Sequence, residues 1–190
     1  MKRLVLACLL AGASAWALPS GLVAPAHAEI DLLAGTTLMK AVTANDLNAT
    51  RQQLLRGENP NVGDAHGRTP LIIAIAANNT AMAKLLLDNG ARVERTDKAG
   101  NPPLFWAAEA GDADLIELLL SKGAKADQEN RQGVTPLMAA ARNGHVAAVD
   151  RLLKAGARPE RNDFTGRDAL SWAQDSRNTR ILALLRQAAR

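Results

Sequence analysis

The chain has 190 residues, 47% of them hydrophobic and only 3% aromatic, with a formal charge of +4. That length suits one ordinary domain with a sizeable core. A single cysteine, Cys8, leaves no pair for a disulfide framework.

Residues 1–28 are a different kind of sequence from the rest. MKR supplies a basic start, LVLACLLAGASAWAL an apolar run, and Ala26-His27-Ala28 a small-x-small cleavage signal. This is the pattern of a cleaved secretory signal. The apolar run is shorter than the roughly 20 residues that a spanning helix needs, so no integral membrane span is expected after cleavage. Loss of Lys2 and Arg3 leaves 21 basic residues against 19 acidic ones, a net of +2. A balance that even gives no general case for a nucleic-acid partner. Loss of Cys8 removes thiolate chemistry as well. The expected location is the periplasm of a bacterium, or the space outside the cell; a disulfide-free exported chain must hold together by packing.

From residue 31 onward the sequence repeats itself with a period of 33. Gly67, Gly100, Gly133 and Gly166 coincide, as do Leu38, Leu71, Leu104, Leu137 and Leu170. Ala41, Ala74, Ala107, Ala140 and Ala173 form another register, and Gly57, Gly90, Gly123 and Gly156 a second glycine register. A period in this range signals stacked repeats. Within each unit a glycine-bearing turn (DAHG, DKAG, NRQG, DFTG) leads into a helix. Thr69 and Thr135 are placed to cap that helix, with proline following at its first position. Asp168 takes the capping place in the last unit; in the third Pro102 takes it, without a hydroxyl. The first helix is short and alanine-rich. The second carries a leucine stripe (Leu85–Leu87, Leu118–Leu120, Leu152 and Leu153) and ends at a glycine suited to the left-handed conformation.

GRTPLIIAIAANNTAMAKLLLDNGA (67–91), GNPPLFWAAEAGDADLIELLLSKGA (100–124) and GVTPLMAAARNGHVAAVDRLLKAGA (133–157) resemble ankyrin repeats. The resemblance runs from Asp31 to about Arg190. It implies an all-α solenoid of paired antiparallel helices with hairpin-like connecting loops, in five units: 31–63, 64–96, 97–129, 130–162 and 163–190. The first and last are degenerate, as end caps facing water should be. Met39, Ile72, Phe105, Met138 and Ser171 replace the histidine that the family places after Thr-Pro-Leu. Leu54 and Leu55 sit one residue closer to their glycine than in other units, and Arg177 replaces the glycine between helices. His145 matches the family's Gly-His and is expected to tie its two helices together.

No reactive constellation accompanies this framework. His66 and His145 fall two units apart, too far for one site, and no cluster of metal ligands occurs. Ser121, Ser171 and Ser176 lie in no nucleophile elbow. Glu109, Asp112, Asp114 and Glu117 read as a solvated helix face. Neither cofactor, metal nor catalytic residue is therefore expected. In proteins resembling this one, hairpin tips and first helices line a concave groove that binds another protein. The matching positions are His66, Arg68, Lys98, Asn101, Arg131, Gln132, Phe164 and Arg167 at the tips, and Trp106, Glu109, Arg142, Asn143 and Asp175 on the first helices. Arg68, Lys98, Arg131 and Arg167 fall in successive units, as a basic ladder that an acidic or polar partner would meet. Trp106 is either a contact residue or a ring packed over a neighbouring unit; Trp172, in the end cap, reads more as packing. The expected function is a non-catalytic, monomeric protein-binding module. Alternatives are an inhibitor or immunity-type protein masking an enzyme or toxin, a small-ligand receptor, and an enzyme.

Overall fold

A computed structural model of the protein describes residues 36–189. The export signal read in residues 1–28 lies outside the described residues. Among those described, ten helices and no strand occur. They form five pairs: α1 (Thr37–Thr43) with α2 (Leu47–Leu55), α3 (Pro70–Ala76) with α4 (Thr80–Asp88), α5 (Pro103–Ala110) with α6 (Ala113–Ser121), α7 (Pro136–Arg142) with α8 (Val146–Lys154), and α9 (Ala169–Ser176) with α10 (Thr179–Ala188). The first helices stack in series, α1 on α3 on α5 on α7 on α9, and α4, α6, α8 and α10 stack alongside.

The start of each first helix follows the capping chemistry. Hydroxyls of Thr36, Thr69 and Thr135 accept the N–H of Met39, Ile72 and Met138, at 3.2, 3.3 and 3.4 Å. The Asp168 carboxylate accepts that of Ser171 at 2.7 Å. Pro102 caps α5 without a side-chain bond. Leucines follow into the core: Leu38, Leu71, Leu104 and Leu137 are at most 1% exposed. Burial at that level contributes about 2 kcal/mol per leucine. Leu170, in the last described unit, is only partly covered. The alanine register is equally buried from Ala74 onward, and its small side chains let successive first helices approach closely. Met39, Ile72, Phe105 and Met138 fill the family's histidine position by packing, whereas Ser171 donates its hydroxyl to Asp168 at 2.6 Å.

The turn between paired helices is left-handed in every unit, at Asn45, Asn78, Gly111, Gly144 and Arg177. Arg177, at φ 52°, is the costly member, because a side chain other than Asn or Asp gains nothing local there. Next to this turn Asp46, Asn79, Asp112 and Asn178 cap the second helices. His145 holds the corresponding place in the fourth unit but makes no cap bond. Its Nε2–H donates instead to the carbonyl of Glu109, 3.0 Å away in the third unit. His145 thus ties unit to unit, and the expectation that it ties its own two helices is corrected. In the first unit the early Leu54-Leu55 pair puts Leu55 at the solvent position that Asp88 holds one unit on, and Leu55 is 79% exposed.

Among the described residues, six ion pairs join neighbouring units, and all run in one direction. Asp88 meets Lys122, Glu94 meets Lys125, Glu109 meets Arg142, Glu117 meets Arg151, Asp127 meets Arg158, and Glu129 meets Arg161. The acid always lies on the earlier unit and the base on the later. Each pair is at least partly exposed and contributes at most about 1 kcal/mol.

Candidate binding surface

The tips between units are tight turns, not paired strands. Asp64, Asp97, Asn130 and Asp163 each donate their N–H to the carbonyl four residues on, at 2.9–3.1 Å. The carbonyls of Asp64, Asp97, Asn130 and Asp163 in turn accept from a left-handed glycine: Gly67, Gly100, Gly133 and Gly166 respectively. Side chains of the same four residues brace the turn from inside. Asp64 accepts the N–H groups of His66 and Arg68 at 2.8 and 2.9 Å, and pairs with the Arg68 guanidinium. Burial works to raise the Asp64 pKa, but these bonds and the Arg68 charge outweigh it and hold the carboxyl below its ordinary value. Asp163 accepts Thr165 N–H, Thr165 hydroxyl and Arg167 N–H at 2.8, 2.6 and 3.0 Å. There too burial opposes ionisation, and hydrogen bonds from Thr165, Arg167 and Trp172 prevail, so the pKa is lowered.

Trp106 and Trp172 share one role. The indole N–H of each donates to the turn carboxylate nine residues earlier: Trp106 to Asp97 at 3.2 Å, Trp172 to Asp163 at 2.9 Å. Both rings are half-buried against the core. Trp172 also meets two cations, with the Arg167 guanidinium 4.4 Å and that of Arg142 5.2 Å from its ring centre. Between the two, at the same helical position, Ala139 is 1% exposed. Trp106 is thus fixed at its indole N–H while part of its ring stays open.

Along the tips, each turn is tied to the one before. Lys98 N–H donates to His66 O at 2.9 Å, Arg131 N–H to Ala99 O at 3.1 Å, and Phe164 N–H to Gln132 O at 3.0 Å. The stems of these residues lie across the preceding turn glycine. A Cβ built on Gly67 would fall 3.1 Å from Lys98 Cγ, one on Gly100 2.9 Å from Arg131 Cγ, and one on Gly133 2.7 Å from Phe164 Cδ1. Glycine is required twice over here, for positive φ and for room.

The structure divides the thirteen sequence-predicted positions. Asn101 is buried; its amide donates to Asp97 at 3.1 Å and accepts from Asn130 at 2.8 Å, so it braces two tips from within. Arg68 is held by Asp64, Glu109 by Arg142, and Arg167 by Asp175 at 2.7 Å and Ser171 O at 3.1 Å. The basic ladder is thereby reduced: Arg68 and Arg167 are neutralised, whereas Lys98 and Arg131 have no ionic partner among the described residues. His66, Lys98, Arg131, Gln132 and Phe164 are exposed, Phe164 at 72%. Sequence reasoning missed the Asp–Trp brace, although its signal was present: the two units with tryptophan, and Asp nine residues before it, are the third and the fifth.

Among the described residues no group of three or more His, Cys, Asp or Glu could hold a metal ion, and no helix is long and apolar enough to cross a membrane. Stacked helical hairpins that present one continuous row of turns define a repeat solenoid. A family model of ankyrin repeats, in three copies, matches residues 38–130 and again 104–189, and the chain belongs to that family. Ankyrin repeats are generally protein–protein interaction modules and typically non-catalytic. No curated protein matches the chain.

Proposed function

We propose that this protein is a non-catalytic binding module that docks a protein partner on the face formed by its tips and first helices, after export to the periplasm or beyond. The observation that supports this reading most is the tip row. Four successive turns are bonded to one another; they hold Lys98, Arg131 and Phe164 outward on stems packed across the preceding turn, with His66 and Gln132 exposed beside them. Rigid, outward polar and aromatic groups reduce the entropy lost on association. Trp106 and the Arg142–Trp172–Arg167 stack form the floor beside them, and aromatic and arginine side chains dominate binding hot spots.

A photoreactive residue at position 132, compared with one at the exposed Lys84 of α4, tests the docking face in the native host. Cross-links to a partner from position 132 and none from position 84 are expected. Cross-links from position 84 alone would overturn the reading. Export is tested separately, by fractionation and by the N-terminus of the mature chain, which should be Glu29.

A further inference from the structure

We infer that the tip row recognises an extended acidic segment in polyproline II conformation, with a carboxylate at every third residue and an apolar side chain at the end that meets Phe164. This rests on the docking face proposed above and names what it takes. At the tip position successive units carry Ala65, Lys98, Arg131 and Phe164, all exposed. Lys98 and Arg131 are the two members of the row whose charges no carboxylate meets among the described residues. Phe164 follows at 72% exposure. The row therefore reads cation, cation, aromatic, in one direction along the stack.

The spacing selects the conformation of the partner. Stacked helices lie about 8–10 Å apart, so these three groups project at about that interval. A β-strand turns residues i and i+3 to opposite faces. A polyproline II segment has three residues per turn and rises about 3.1 Å per residue, so every third side chain returns to one face about 9 Å on. The register Glu-x-x-Glu-x-x-Leu, in either chain direction, sets two carboxylates over Lys98 and Arg131 and an apolar group on Phe164. Pinned stems suit such a partner, since neither side need lose much freedom on binding. A nucleic-acid strand fits less well. Single-strand binders need a succession of stacking rings, whereas the row offers one.

The test is fluorescence anisotropy at low salt, using the purified protein and labelled peptides. Glu-Pro-Pro-Glu-Pro-Pro-Leu should bind at least tenfold more tightly than Glu-Glu-Pro-Pro-Pro-Pro-Leu, which keeps composition and loses spacing. It should also exceed Lys-Pro-Pro-Lys-Pro-Pro-Leu by a similar factor. The double variant Lys98→Glu, Arg131→Glu should reverse that charge preference, an outcome that unfolding cannot imitate. Phe164→Ser should weaken the leucine peptide several-fold and leave a serine-ended version unchanged. Equal binding of the two acidic peptides, or tighter binding of a thymidine oligonucleotide, would overturn the inference. If that happens while cross-links from position 132 persist, the docking face stands and only the acidic ligand falls. If the cross-links move to position 84, both fall.

Discussion

Gly111 and Gly144 occupy the same place in successive units, with φ of 77° and 78°. Alanine at either site forces a left-handed backbone on an L residue, at a cost of about 1–2 kcal/mol. The surroundings then separate them. A methyl at Gly144 meets nothing nearer than Ser176 Cβ at 3.6 Å. At Gly111 the methyl falls 2.5 Å from Cγ and Nδ1 of His145, so the ring must leave. With it goes the 3.0 Å bond to the Glu109 carbonyl, a loss of about 1 kcal/mol. Repacking around the intruding methyl adds about 1–3 kcal/mol. Gly144→Ala should therefore cost about 1–2 kcal/mol and Gly111→Ala about 3–6 kcal/mol. Urea unfolding followed by tryptophan fluorescence, with midpoint and slope fitted separately, measures both. In the Gly111→Ala background His145→Ala should cost less than it does alone, because the ring has already lost its contact. Equal costs for the two glycine variants, within about 0.5 kcal/mol, would refute the reasoning.

Three further outcomes are expected. Arg177→Gly should stabilise the chain by about 0.5–1 kcal/mol, since relief of left-handed strain exceeds the extra freedom of glycine when unfolded; thermal unfolding checks it. Trp172→Phe keeps a ring against Arg142 and Arg167 but deletes the donor to Asp163, so about 1–2 kcal/mol should be lost in urea. The Asp163 carboxyl, followed by NMR, should titrate at higher pH in that variant. Asp163 is held below its unfolded pKa of about 3.9. Its contribution is thus complete above about pH 4 and lost as acid takes the pH down through the folded value. Asp163→Asn should flatten the stability–pH curve below pH 4 and leave its neutral limb unchanged in shape.

Much of the fold is legible in the sequence because repetition samples the same backbone many times. Gly67, Gly100, Gly133 and Gly166, aligned by period alone, all adopt φ of 77–84° in one kind of turn. Leu104 and Ala107 are buried because each unit covers the next, and the 33-residue register locates them. Side chains that reach across units are less legible. Asn101 reads as an exposed loop residue, yet Asn130, 29 residues on, supplies the complementary amide that makes its burial affordable. Arg142 reads as a groove cation, and the structure engages it with Glu109 and with Trp172. Such pairings depend on rotamer and reach, which a one-dimensional register does not record.

The one-way ion pairs mean that the storeys of this stack are not interchangeable, although their outlines are. If the third unit were cut out and the second set directly beneath the fourth, Lys84 would stand where Glu117 stood and face Arg151. Ala76 and Thr96 would face Arg142 and Arg161 with nothing to offer, and only Glu94 would find a base, in Arg158. A shape that tolerates shortening is thereby given an order, written in charge, that discourages skipped and exchanged neighbours.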